Sequence, residues 1–239
     1  MSIPVGAPQF ERIADRYDTS LPAHVVAHYL EKRARFLTEQ WPAPARALDV
    51  GAGTGLLAAR LKRAGWSVVG VDQAAAMLHH MVARGGIVAQ AHSAWLPFAD
   101  ETFDVVYCVA MLHHVAEPAA VRATVREMAR VTRVGGITVY WDHNPCNPYW
   151  PIIMARVPQD TGAERLIPAD EIAAALSDLP VEVSISSSGF VGDFVPPSLL
   201  GCFARLEQLV ERLPGLRRFL CAHNIVVARK YRSVKGIGL

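Results

Sequence analysis

The sequence lacks the marks of a membrane-spanning, secreted or nucleic-acid-binding chain. No window approaches eighteen uninterrupted apolar residues, so a membrane span is not expected. The first residues, MSIPVGAPQFERIADRYD, have no apolar stretch of the kind a secretory signal carries. Only four cysteines are present, and Cys108, Cys146, Cys202 and Cys221 are scattered with no Cys-x-x-Cys pair. Acidic and basic residues are mixed along the chain, the net charge is only +2, and no basic block suggests nucleic acid. These absences describe a reduced, soluble, cytoplasmic protein with no metal site, no nucleic-acid partner and no membrane partner.

What is present is apolar material. Of 239 residues 51% are hydrophobic, enough for one sizeable α/β domain over 1–239 and too few for two. Residues 9 to 40 read as helix broken near Pro22, with Val25, Val26, Tyr29, Leu30, Ala34 and Leu37 at helical spacing. From there strands and helices alternate. RALDVG, SVVGVD, IVAQAH, DVVYCVAML and ITVYWD read as buried strands. LLAARLKRAG, AAAMLHHMVARGG and PAAVRATVREMARVTRVGG read as helices, the last stopped by Gly-Gly. That alternation predicts parallel pairing and right-handed crossovers. The last third adds a helix in PADEIAAALSD, a strand in VEVSISS, a helical insertion near 197–213 and a strand in HNIVVARK. The expected fold is α/β, a doubly wound and mostly parallel seven-stranded sheet with an antiparallel edge hairpin.

The chemistry begins in ALDVGAGTGLLAARL, residues 47–61, a strand, a glycine turn and a helix. Gly51, Gly53 and Gly55 give Gly-x-Gly-x-Gly, whereas a dinucleotide fingerprint wants Gly-x-Gly-x-x-Gly and finds Leu56 at its last position. Asp72 ends the second strand, nineteen residues after Gly53, where a carboxylate accepts hydrogen bonds from a ribose diol. An NAD enzyme places an acid there too, so Asp72 alone does not discriminate. Asp49 does help: an acid beside the loop suits the cationic amino-acid end of S-adenosylmethionine better than a pyrophosphate.

With these residues in order, the chain resembles the class I S-adenosylmethionine-dependent methyltransferases, in the broad group of ubiquinone-menaquinone-type and small-molecule enzymes. LDVGAGTG resembles the first motif of that family, and VVGVDQAAAML its second. WLPFADETFDVVYCVAMLHHV resembles the stretch around its fourth strand, RVTRVGG the turn before its fifth, and FERIADRYD the helix that caps the cofactor. The resemblance covers residues 9–142 well and the terminal third in outline. It implies a Rossmann-like sheet, S-adenosylmethionine as cofactor, S-adenosylhomocysteine as product, and in-line methyl transfer to a small-molecule acceptor by a monomer or homodimer.

The resemblance also distributes roles. Asp49, Gly51, Ala52, Gly53 and Asp72 hold the cofactor, Gln73 and Met77 flank its adenosine, Tyr17 closes over its methionine end, and the Val109 carbonyl faces its ammonium. His92 stands where the family often has an aspartate for the adenine amine, and backbone near Ser93 and Ala94 takes that contact. Among histidines, His113 is favoured over His114 for the acceptor side, with His143 the second candidate base. Asp142 and Asn144 share the rim with His143, and Tyr149 and Trp150 are pocket walls, unless this segment is only a rigid loop. His223 reads as structural, and a metal role for His24 and His28 lacks a third ligand. A helical cap over 1–40 and insertions at 143–167 and 191–222 are the expected lid and acceptor pocket. The rival readings are a non-catalytic S-adenosylmethionine-binding protein and an NAD-dependent oxidoreductase.

Overall fold

The computed structural model describes residues 7–156 and 159–232. Residues 1–6 of the expected cap, 157–158 of the expected 143–167 insertion and 233–239 lie outside the described residues. The chain opens with α1 (Ala7–Tyr17) and α2 (Ala23–Gln40). Pro22 separates them from the N-cap of α2, in extended conformation, where its missing amide costs no helical hydrogen bond. Then β1 (Arg46–Val50), α3 (Leu56–Arg63), β2 (Ser67–Asp72), α4 (Ala75–Ala83), β3 (Ile87–Gln90) and β4 (Phe103–Val109) alternate. α5 (Leu112–Val115), α6 (Pro118–Val131) and β5 (Thr132–His143) follow. The remainder comprises α7 (Trp150–Met154), α8 (Ala169–Leu176), β6 (Val181–Ser188), α9 (Leu200–Glu211), α10 (Pro214–Leu220) and β7 (His223–Lys230).

Seven strands form one sheet in the order β3-β2-β1-β4-β5-β7-β6. β3 through β5 pair in parallel, and β7 runs antiparallel to both β5 and β6. Strand order reverses between β1 and β4, so the crevice beyond their C-terminal ends is the place such a sheet offers a ligand. The two-residue period of the strands divides the core. Leu48, Val106, Cys108 and Tyr140 point to one face, under α6 and α8, while Ala47, Val105, Tyr107, Val139 and Trp141 point to the other, under α2 and α3. Both faces are covered, which is why these strands read as continuous apolar runs. No helix among the described residues is long and apolar enough to cross a membrane.

One boundary differs from expectation. The Gly-Gly pair does not end α6. That helix, capped at its start by the Glu117 carboxylate on the Ala120 amide at 2.7 Å, stops at Val131. β5 begins at Thr132 and carries Gly135 and Gly136 inside it. Thr132 pairs with Phe103 but Ile137 with Val105, so β5 bulges there. A Cβ on Gly136 would lie 2.6 Å from the Asp104 carbonyl oxygen, so the bulge needs glycine.

The helical segment near the C-terminus is tied down by a buried acid. Glu207 of α9, 1% exposed, lies 2.9 Å from His28 Nε2 and 2.5 Å from Lys32 Nζ of α2, and accepts the Phe190 amide at 2.6 Å. Burial opposes its ionisation, but the His28 hydrogen bond and the Lys32 charge outweigh that and hold the carboxyl at about 2. Removing one partner of a buried pair costs about 3–5 kcal/mol. Because Lys32 keeps Glu211 at 2.6 Å, Glu207→Ala should lower unfolding free energy at neutral pH by about 3 kcal/mol, the bottom of that range. Unfolded, the carboxyl protonates near its ordinary value of about 4.3. The stabilisation is therefore complete above about pH 4.3 and disappears as pH falls toward the folded value. Denaturant titrations over that acid window should show the variant losing correspondingly less stability than wild type.

Candidate active site

At the switch point the glycine loop leaves β1 with its own amides already engaged. The Gly51 and Ala52 amides donate to the Val71 carbonyl at 2.8 and 2.9 Å, and the Gly53 amide donates to Asp72 Oδ2 at 2.9 Å. A pyrophosphate site needs such amides free and aimed at the ligand. Here they brace β1 against β2. Gly51 adopts φ +74°, and a side chain there would collide with Met111. Asp72 also accepts the Ala74 amide at 3.0 Å through Oδ1, so its carboxylate is aimed by two backbone donors and stays half-buried at the crevice. Asp49 is buried at the end of β1 and accepts from the Tyr107 hydroxyl at 3.0 Å; burial pushes its carboxyl up to about 7.

The first helix is clasped over this loop. Glu11 accepts the Ala75 and Ala76 amides at 2.6 and 3.0 Å, capping α4 from outside its own segment. Asp18 accepts from Thr54 Oγ1 at 2.6 Å and from Arg84 at 2.5 Å. A methyl group on Gly53 would lie 3.9 Å from Tyr17 Cε1, which places the Tyr17 ring against the loop. Met77 is buried with Ala14 and Ala74 beneath Phe10, Ile13 and Tyr17, and Gln73 is half-buried with its carbonyl held by Gln90 at 2.8 Å. His92 tilts against Trp95 and accepts the Ala94 amide at 3.0 Å, whereas the Ser93 hydroxyl bonds Thr124 at 3.0 Å. Val109 ends β4 and is followed by Ala110 at φ +51°.

Beyond Tyr17 and Ala110 lies a cavity of about 390 Å³. His113, His114, His143 and His223 line it, with Tyr149, Trp150 and Phe190 among its aromatic walls. His113 Nδ1 meets Asp142 Oδ1 at 2.6 Å, and that carboxylate also accepts the His113 and His143 amides at 3.2 and 2.7 Å. Burial opposes charge on both members of the pair. Their mutual attraction outweighs it, holding Asp142 below the usual carboxylate range and raising His113 above 6.5. The His143 ring is stacked between His113, at 4.0 Å, and Trp150, at 3.5 Å, and burial keeps it neutral. Asn144 turns away to the Arg218 and Cys221 carbonyls and serves the loop rather than the cavity. Tyr149 is fixed by Asp193 and Trp150 by the Ala222 carbonyl. His24 and His28 are engaged by the Val195 carbonyl and Glu207, not by each other.

Several lining residues were not anticipated. His223, expected to be structural, is a cavity wall whose Nδ1 has no hydrogen-bond partner among the described residues. Arg33 Nε, His143 Nδ1, Gln159 Oε1 and Asp160 Oδ1, all of lining residues, are likewise buried without a hydrogen bond among the described residues. A cavity with so many unsatisfied polar atoms is built for polar company. Arg33 had one legible signal: it stands four residues from both Tyr29 and Leu37, a charge on the apolar stripe of α2. Gln159 and Asp160 had none. Although no metal was expected, two sets bring potential ligand atoms within 4.8 Å, His113–His114–Asp160 and His113–Asp142–His143. In the second, the hydrogen bond between His113 and Asp142 already satisfies both groups.

Residues 48–140 match a family model described as a methyltransferase domain. That segment carries a methyltransferase domain, and it lies within the part of the sequence that resembles the S-adenosylmethionine-dependent enzymes. The chain is 33% identical over 133 residues to an uncharacterized methyltransferase of Mycobacterium sp. (strain JLS), covering 52% of each chain. It is 34% identical over 131 residues to the ubiquinone biosynthesis O-methyltransferase of Hahella chejuensis, covering 51% of this chain and 55% of that one. The chain thus spans about half the length of the curated relatives it matches. A solved methyltransferase of Thermotoga maritima, described as a possible histamine N-methyltransferase, superposes with TM-score 0.69 at 18% identity, covering 94% of this chain and 99% of that one. At this end of the sheet the Asp72 and Asp49 carboxyls stand beside a loop whose Gly51, Ala52 and Gly53 amides are already engaged.

Calorimetric titration checks the cofactor this loop holds. S-adenosylhomocysteine should bind and NAD should not, and Asp72→Ala should weaken S-adenosylhomocysteine at least about 30-fold, the loss of a charged acceptor worth about 2 kcal/mol or more. NAD binding, or full affinity in the variant, would overturn the reading of the loop.

Proposed function

We propose that the protein transfers the methyl group of S-adenosylmethionine to a small, partly apolar acceptor held in the cavity beside Tyr17 and Ala110. The observation that carries this is the buried Asp142–His113 pair facing that cavity. When bound, the cofactor supplies a methyl group already activated on a sulfonium, so the chain's own task is alignment and proton handling. Tyr17 closes the methionine end, and Arg33 pairs with its carboxylate. Asp142 keeps the proton on His113 Nδ1, which leaves Nε2 as the acceptor of a proton from the nucleophile. The neutral His143 ring, with its unpartnered Nδ1, receives a hydrogen bond from the acceptor or passes that proton on. Segments 143–167 and 191–222 supply the aromatic walls, and the helical cap excludes water. An acceptor that must shed a proton as it attacks is the class this arrangement serves best; the quinone-type relative and the aromatic lining favour an aromatic one. The soluble, cytoplasmic setting read from the sequence agrees with such a role.

The test is S-adenosylhomocysteine release across a panel of hydroxyl, amine and thiol acceptors. His113→Asn should lower kcat by about 10²–10⁴-fold while S-adenosylhomocysteine affinity is retained. The base must be neutral to act, so the rate should rise with pH through a midpoint above 6.5. In Asp142→Asn that midpoint should move down, because the charge that raises it is gone. Cofactor binding without turnover on any acceptor would return the protein to the non-catalytic binding class.

A further inference from the structure

We infer that the α9–α10 pair is a docking surface for a negatively charged lipid bilayer. Among the described residues, eight of the fourteen exposed large hydrophobics lie between Phe194 and Leu220. Leu206 and Leu209 lie three residues apart on α9, Leu199 stands just before its start, Leu213 follows its end in extended backbone, and Leu216 and Phe219 lie three apart on α10, so the exposed apolar side chains recur along the whole stretch. Leu209 is 55% and Phe219 53% exposed, whereas Glu207 and Val210 on the adjoining flank of α9 are buried. The exposed apolar stretch is therefore surplus to the core.

Its charges carry one sign. Arg205, Arg212, Arg217 and Arg218 stand in the same stretch, and none forms an ion pair among the described residues. The only acids between 197 and 222 are Glu207 and Glu211, and both turn inward, to Lys32 and to Ser188 and the Gly189 amide. An apolar surface flanked by unpaired arginines is the composition of a helix that lies in a bilayer interface. A second copy of the same face would set arginine against arginine. The exposed leucines of α9 also span two heptads at most, short of the three or four that sustain a coiled coil. An anionic bilayer satisfies the apolar and the basic requirement together.

The earlier expectation of no membrane partner rested on the lack of a spanning segment, which says nothing of a helix lying flat. Phe194, Phe219 and Leu220 also line the cavity, so its mouth opens on this face. Provided the proposed acceptor pocket is real, an acceptor dissolved in lipid reaches it without crossing water.

The experiment is flotation of the full chain with vesicles of phosphatidylcholine alone or mixed with phosphatidylglycerol. Binding to the mixed vesicles, released by high salt, is the expected result. Arg205→Gln with Arg212→Gln should lower the partition coefficient roughly thirtyfold, each surface arginine contributing about fivefold. Leu209→Ser with Leu216→Ser should lower it independently. S-adenosylhomocysteine affinity, measured on the same samples, should be unchanged, which separates this proposal from the cofactor reading. No binding to the anionic vesicles, or binding indifferent to both double variants, would overturn it. So would a dimer in sedimentation equilibrium that the leucine variant dissolves while vesicles bind nothing.

Discussion

A carboxylate buried as deeply as Asp142 survives as an ion only if donors surround it. Its donors come from two elements. The His113 amide and ring nitrogen belong to α5 and the His143 amide to the end of β5, so the one charge locks the turn after β4 to the strand beside it. The same contact sets the tautomer of His113 and brings its ring against His143, which Trp150 backs. The acceptor side of the site is organised by how one ion is satisfied. Its neighbours inherit their states: His143 stays neutral first because it is desolvated, and any charge gained by His113 beside it favours that further.

The cofactor side obeys a different constraint. Its loop spends amides on β2 and on Asp72 before any ligand arrives, which stiffens the turn and removes the anion cradle that other glycine loops keep. What remains is carboxylate: Asp49 and Asp72, aimed by Tyr107 and by backbone donors. The clasp of α1, through Glu11 on the start of α4 and Asp18 on Thr54, sets Tyr17 between this half of the site and the cavity.

The terminal third builds the cavity because of where the sheet ends. β7 inserts between β5 and β6, which carries α9 and α10, the link from β6 to β7 in sequence, to the rim beside His143 and His223. Glu207 then binds that excursion to α2, so the N-terminal and C-terminal additions meet over the same cavity. The outward side of α9 and α10 is left apolar and basic.

The alternating elements, the sheet class and the glycine turn were legible because each is a local pattern. Period-two apolar runs are strands wherever they fold, and Gly51, Gly53 and Gly55 mark a turn that other residues resist. Asp72, Asp49 and the His113 position came from the same short stretches. The Gly135–Gly136 bulge was not legible, since a helix stop and a strand bulge use the same two residues. Nor were Arg33, Gln159, Asp160 and His223, which join the site from three separated segments. Their meaning is a matter of what stands unpaired beside them, and only the packing of α2 and the 159–160 turn around the end of the sheet decides that. The sequence by itself determined the elements and the cofactor loop, whose causes lie within a few residues. The shape and polarity of the cavity were left to the tertiary structure, because burial and missing partners arise from residues far apart along the chain.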